Sequence, residues 1–270
     1  MTHDPVSNSP STDDKPAAWA LVTDATLEEA NVHLPRLQQA GLLGAVEQQG
    51  RCWLYFPQRV SELPIEGTWE PVADVDWSQA WRENLEPVTV GEVTVAPPWL
   101  AEPDARTVVI EPAQAFGTGH HETTAACLAA LQELDLTHRR VLDAGTGSGI
   151  LAIAAARLGA AEVAGCDVDP VAIDAARANA AANGVEVHLL EGDIPVVGDR
   201  AFDVVVANLD TSALTWAAPH LVRRLAAGGT LIAAGISHDR RAEALQALAH
   251  AGLAAIDRPG DEWAVLIGRR

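Results

Sequence analysis

The sequence predicts an α/β fold: a parallel sheet covered by helices on both faces, closed by a terminal antiparallel hairpin and preceded by a small α+β unit. Three observations predict it. From Thr107 onward, short apolar runs alternate with segments of helical periodicity, as in a sheet built from strand–helix crossovers. Val141-Leu142-Asp143-Ala144-Gly145-Thr146-Gly147-Ser148-Gly149 reads as a buried strand, a glycine-rich turn and a helix start. At the end of the chain, Arg258-Pro259-Gly260-Asp261 separates two apolar runs and suits a hairpin.

The elements follow in order. Residues 1–16 are rich in Ser, Pro, Asp and Thr, the composition of a disordered tail. Residues 17–63 make a small α+β domain. Within it Trp19-Ala20-Leu21-Val22 is a strand, and Leu27, Ala30, Leu34 and Leu37 predict a helix over 26–40, disturbed at Pro35. Residues 44–47 and 51–56 predict a hairpin across Gln48-Gln49-Gly50. Residues 64–106 read as a linker, with an acidic amphipathic helix over 76–86 carrying Trp77, Ala80, Trp81 and Leu85 on one face. A hairpin over 88–98 completes that linker. Residues 107–270 form the α/β domain, with strands over 108–111, 141–143, 163–167, 185–190, 204–207 and 231–234. Its helices are expected over 123–134, 150–158, 170–183, 213–225 and 240–251, and its closing hairpin strands over 254–257 and 263–267.

Composition bounds the partners. The net charge of −19 argues against nucleic acid as a direct partner, because phosphate binding needs a basic face. It is compatible with a strongly basic protein drawn in by the field. There is no apolar run of membrane-spanning length and no secretory signal, which predicts a cytoplasmic protein without membrane contact. Cys52, Cys127 and Cys166 lie in apolar stretches and read as reduced core thiols, with neither a disulfide frame nor a metal site expected.

The glycine-rich turn points to a nucleoside cofactor. Asp167 follows Gly145 by 22 residues, at the tip of the next strand, where a carboxylate can accept both hydroxyls of a ribose. A dinucleotide site would read G-x-G-x-x-G, but here the spacing is G-x-G-x-G, and Ile150 stands where that third glycine would fall. Carboxylates at Asp143 and Asp167 would repel a pyrophosphate and suit a ligand bearing a sulfonium and an ammonium. The chain contains no G-x-x-x-x-G-K-[ST] phosphate loop. S-adenosylmethionine, leaving as S-adenosylhomocysteine, fits better than NAD.

Further candidates lie at the same strand ends. In Glu191-Gly192-Asp193, Asp193 either accepts the adenine amino group or sits in a solvated turn. In Val204-Val205-Val206-Ala207-Asn208-Leu209-Asp210, Asn208 offers its carboxamide oxygen to an amine or caps the following helix. Phe116-Gly117-Thr118-Gly119-His120-His121-Glu122-Thr123-Thr124 suggests a mobile lid over the cofactor. Within it, His120 either carries a proton or shapes the loop, and two adjacent histidines do not share a face for a metal.

These stretches, with Asp167-Val168-Asp169-Pro170, Asp76-Trp77, Trp81-Arg82 and the small N-terminal unit, resemble the ribosomal protein methyltransferases of the PrmA type. The glycine loop alone indicates only a class I, Rossmann-like methyltransferase, and the Phe-Gly-Thr-Gly-His-His stretch with Asp-Trp-x-x-x-Trp is more specific. The resemblance implies transfer of methyl groups from S-adenosylmethionine to lysine ε-amines and the N-terminal α-amine of protein eleven of the large ribosomal subunit. The alternative is a methyltransferase acting on another protein or on a small-molecule amine. The resemblance implies cofactor contacts at Thr124, Gly145, Asp167 and Asn208, to which the residues themselves add Phe116, Gly117, Thr118, Asp143, Gly147 and Asp193. The catalytic candidates are Asn208, Leu209 and His120, with the Asn208 carboxamide oxygen and a nearby backbone carbonyl orienting the amine. The partner implied is a basic ribosomal protein met by the N-terminal domain, and the enzyme is expected to be a monomer. Asp210-Thr211-Ser212 departs from the apolar residues of many members, and the N-terminal unit is shorter than in many.

Overall fold

The computed structural model describes residues 18–26, 40–48, 51–72, 86–102, 106–112, 122–258 and 263–270, with 29, 30, 33, 36, 37 and 104 between them. The chain divides into two compact units, Met1–Asn84 and Leu85–Arg270. The expected tail, the Trp77–Trp81 helix and the Phe116–His121 stretch lie outside the described residues.

The first unit is a four-stranded antiparallel sheet in the order β2-β3-β1-β4. Its strands are β1 (Ala18–Thr23), β2 (Gly44–Gln48), β3 (Arg51–Phe56) and β4 (Thr68–Val72). Alternation along β3 drives the packing: Cys52, Leu54 and Phe56 are buried, while Arg51 is exposed and Trp53 and Tyr55 are half-buried. The buried three meet Leu21, Ala30 and Leu37 in one core. The expected helix over 26–40 begins on a capping box: Glu29 N–H donates to Thr26 Oγ1 at 3.2 Å, and Thr26 N–H donates to Glu29 Oε2 at 2.9 Å. Leu27, Leu34 and Pro35 lie outside the described residues. β4 falls in the stretch read as linker, yet it pairs with β1 at Leu21↔Trp69 and brings Trp69 edge-on to Phe56 at 5.4 Å.

The second unit holds two sheets. A small one, β5-β6-β7, joins the expected hairpin β5 (Val88–Val90) and β6 (Val93–Ala96) to β7 (Thr107–Val109). β7 was expected to open the main sheet, but it runs parallel to β6 with Val95 opposite Val108. Its other edge is satisfied by a side chain instead of a strand. Val109 N–H donates to Asn183 Oδ1 at 2.8 Å, and Asn183 Nδ2 donates back to the Val109 carbonyl at 2.6 Å. The hairpin read as linker thereby packs into the core of this unit through Val93 and Val95.

The main sheet has seven strands in the order β10-β9-β8-β11-β12-β14-β13. They are β8 (Arg140–Ala144), β9 (Glu162–Asp167), β10 (His188–Glu191), β11 (Phe202–Asn208), β12 (Leu225–Ser237), β13 (Ala255–Arg258) and β14 (Trp263–Arg269). The first five in that order are parallel, and β14 is antiparallel to both β12 and β13. Helices α1 (Glu122–Gln132), α2 (Ile150–Arg157), α3 (Pro170–Asn183), α4 (Thr211–Arg224) and α5 (Arg241–His250) cover it. The period of two shows in the cores: Val141, Val204 and Val206 enter one apolar cluster with α1 and α2, while Leu142, Val205 and Ala207 enter the other with α4 and α5. Strand order reverses between β8 and β11, which opens a crevice above their carboxyl ends. No helix among the described residues is long and apolar enough to cross a membrane.

Candidate active site

The crevice is a cavity of about 580 Å³, within the range of small-molecule sites. Thr124, Gly145, Gly147, Asp167, Asp193, Asn208 and Leu209 all line it. Seven of the residues singled out in the sequence are thus brought together from α1 and the ends of four parallel strands. Phe116, Gly117, Thr118 and His120 lie outside the described residues.

The turn after β8 is tied to β9: Gly145 N–H and Thr146 N–H both donate to the Cys166 carbonyl, at 2.9 and 3.0 Å. Gly145 has φ +75°, and a Cβ there would stand 2.6 Å from Leu209 Cδ2. The left-handed φ favours glycine here, and a Cβ would also displace the Leu209 side chain.

Asp167 ends β9 with its carboxylate already oriented. Oδ2 accepts from Gly147 N–H at 2.9 Å and Oδ1 from Asp169 N–H at 3.0 Å. A carboxylate has about four acceptor positions, so each oxygen keeps one for a ligand. Asp193 lines the cavity and also caps a short 3₁₀ turn, accepting from Ile194 N–H at 2.7 Å.

Asp143 departs from expectation. Its carboxylate does not face the cavity but lies 1% exposed beneath the glycine turn. Oδ2 accepts from Thr146 Oγ1 at 2.7 Å and from Ala152 N–H at 3.1 Å, so it holds the turn and the first turn of α2 together. Oδ1 is buried without a hydrogen-bond partner among the described residues. Burial pushes the acid up to about 7; its bonds from Thr146 and Ala152 oppose the shift and the charge of Asp167 adds to it.

Asn208 ends β11 half-buried, and its Nδ2 donates to Thr124 Oγ1 of α1 at 3.2 Å. That bond fixes the carboxamide and leaves Oδ1 as its acceptor. The cap of α4 is not Asn208 but Asp210, whose Oδ1 accepts from Ser212 and Ala213 N–H at 2.8 and 3.0 Å. Leu209 is anchored by its N–H to the Ala234 carbonyl at 3.0 Å. The Leu209 carbonyl lies against Gly235, where a Cβ would come within 2.4 Å of it and where φ is +84°.

Sequence reasoning took Asp210 only as a departure from the family pattern and passed over Trp216; both line the cavity. Asp210-Thr211-Ser212 carries a cap signal, and Ala213, Trp216 and Ala217 recur at helical spacing. Among the described residues, no group of three or more His, Cys, Asp or Glu is placed to hold a metal ion.

The strand order, the glycine turn and the acid at the second strand tip define a class I S-adenosylmethionine-dependent methyltransferase. A family model described as ribosomal protein L11 methyltransferase (PrmA) matches residues 21–270. The ribosomal protein L11 methyltransferase of Thermus thermophilus is 41% identical over 251 residues, covering 92% of this chain and 98% of the relative. That of Deinococcus radiodurans is 39% identical over 264 residues, covering 91% and 96%. The crystal structure of a ribosomal protein L11 methylase from Lactobacillus delbrueckii subsp. bulgaricus superposes with a TM-score of 0.64 at 29% identity, covering 69% of this chain and 99% of that one. This chain belongs to the ribosomal protein L11 methyltransferase (PrmA) family.

Proposed function

We propose that this chain methylates ribosomal protein L11, on lysine ε-amines and the N-terminal α-amine, using S-adenosylmethionine. The observation that carries the reading is a single cavity joining the glycine turn, Asp167 and Asn208 in a chain whose residues 21–270 match the family. Asp167 would accept the ribose hydroxyls with its two remaining acceptor positions. The Gly145–Gly147 backbone, which lines the cavity, would lie against the ligand, and Asp193 would accept the adenine amino group.

When bound, S-adenosylmethionine supplies an electrophilic methyl group that a neutral amine takes in an in-line displacement. Removing the proton from a lysine of pKa ~10.4 costs about 4–5 kcal/mol at neutral pH. A partly desolvated site lowers that cost. The chain's contribution is alignment. Thr124 holds the Asn208 amide so that Oδ1, with the Leu209 carbonyl, accepts from the amine and points its lone pair. His120 is the candidate proton carrier.

The N-terminal domain, residues 17–63 with β4, would hold the ribosomal protein while residues 107–270 with the small sheet perform the transfer. The reading carries with it a cytoplasmic monomer that needs no metal and no direct nucleic acid contact. The net charge of −19 favours a basic protein partner. Incubation with methyl-labelled S-adenosylmethionine and unmodified L11, followed by mass spectrometry of the peptides, tests it. Label on lysines and the N-terminus supports the reading. Label confined to small amines, with none on L11, overturns it.

A further inference from the structure

We propose that Asp210 and Trp216 form the recognition element for the incoming cationic amine, the carboxylate drawing the ammonium and the indole covering its methylene chain. The proposal rests on the amine-methylation reading and identifies the part of the cavity that meets the substrate.

Both residues line the same cavity as Asn208 and Leu209. On the β11–α4 side they are the exposed ones, since Ala213 is half-buried and Ala217 is buried. A substrate amine reaching Asn208 from solvent on this side passes them. Asp210 gives its Oδ1 to two N–H groups of α4, and Oδ2 takes part in none of the described bonds. The cap therefore holds the carboxylate still while one oxygen stays open. Arg240, the cation whose charge reaches Asp210, is already committed: its Nε and Nη2 bind both Glu243 oxygens at 3.1 and 2.9 Å, and its Nη1 binds Ser212 Oγ at 3.0 Å. Its donors are thus taken by Glu243 and Ser212, and Asp210 Oδ2 keeps its acceptor positions for a ligand.

Trp216 is 57% exposed although it stands on a helix whose other face, Leu214, Ala217 and Leu221, is buried. Its ring lies beside His220 at 5.1 Å between centroids, 32° between planes. An exposed indole lining the cavity leaves apolar area uncovered, and a covering group recovers that area. A lysine side chain meets both residues' chemistry. Its methylenes cover the ring, its cation is attracted by the ring's negative face, and its charge matches the carboxylate.

The test is steady-state kinetics of the full chain on L11, with cofactor affinity measured in parallel by calorimetry. Asp210→Asn keeps an oxygen for the cap and removes the charge. KM for L11 should rise about tenfold, as for loss of one charge-assisted contact, with kcat and the cofactor Kd unchanged. Trp216→Leu should raise KM about fivefold, and Trp216→Phe should restore part of that loss. Asp210→Ala removes cap and charge together; it should melt lower than Asp210→Asn but show the same KM. A KM rise in Asp210→Ala alone makes Asp210 a cap and overturns the proposal. So does Asp210→Asn with a wild-type KM, or with weakened cofactor binding in place of a raised KM. A wild-type chain inert toward every amine overturns the amine-methylation reading itself, and the proposal falls with it.

Discussion

At the scale of single residues, Asp167 and Asn208 have separable tasks. Asp167 is held by two backbone N–H groups and offers its remaining lone pairs to the cavity. Asp167→Ala should weaken S-adenosylmethionine binding at least about tenfold, because a charged bidentate acceptor is worth ~1.5–3 kcal/mol. Calorimetry returning the wild-type affinity would remove Asp167 from the ligand. Asn208 is not a helix cap, since Asp210 holds that position, so Asn208→Ala should cost stability only through the lost bond to Thr124, about 1 kcal/mol. Turnover should instead fall ~10²–10³-fold, as for loss of one positioned polar group. Normal turnover in a mutant that melts lower would return Asn208 to a structural role. The acid at the strand tip was readable from spacing alone. The direction in which Asp143 points was not, because a sequence gives the position of a carboxylate but not its rotamer.

At the scale of elements, the join between β8 and α2 carries a pH signature. Asp143 is buried beneath it with a pKa of about 7 against an ordinary 3.8. The folded state therefore holds a proton that the unfolded chain releases between these values, and stability falls as pH rises through that window. The full difference is on the order of 4 kcal/mol. Asp143→Asn, which keeps an acceptor for Thr146 and Ala152, should flatten that slope. Denaturant unfolding of both forms from pH 4 to pH 8 checks it; parallel curves would mean that Asp143 titrates normally. Element boundaries were legible where local chemistry marks them. The bounds of α3 agree with expectation because Asp169 caps it, Pro170 starts it and Gly184 ends it. β4 escaped because Thr68–Val72 is mostly exposed and contains Pro71, so it lacks the alternation that marks a half-buried strand. The partner of β7 escaped for another reason: a short β-branched run, Thr107-Val108-Val109, specifies an extended backbone but not which strand lies beside it.

At the scale of the molecule, the two units have separate cores, one built on Leu21, Leu54 and Phe56 and the other on the two faces of the main sheet. A chain truncated to begin at Leu85 keeps the small sheet and should fold and bind S-adenosylmethionine. It should lose methylation of intact L11 if recognition belongs to the first unit. Full-rate modification of L11 by the truncated chain would move recognition into the α/β unit. The parallel part was legible in the strand–helix alternation from Thr107 onward. Where the first unit ends was not, because β4, β5 and β6 lie in a stretch whose composition resembles a linker.

The two asparagines of α3 also bear on the order in which the chain assembles. Asn183 binds Val109 across 74 positions, and Asn179 joins the Glu111 N–H to the Ser148 carbonyl, reaching 68 positions one way and 31 the other. Bonds of that span return nothing until a long loop has closed. The hairpin of β5 and β6 can form from neighbouring residues and pair with β7, but the outer edge of β7 has no partner until α3 is in place. The backbone of Val109 and Glu111 thus gains these bonds only once α3 has docked, and the same helix holds the Ser148 carbonyl of the glycine turn.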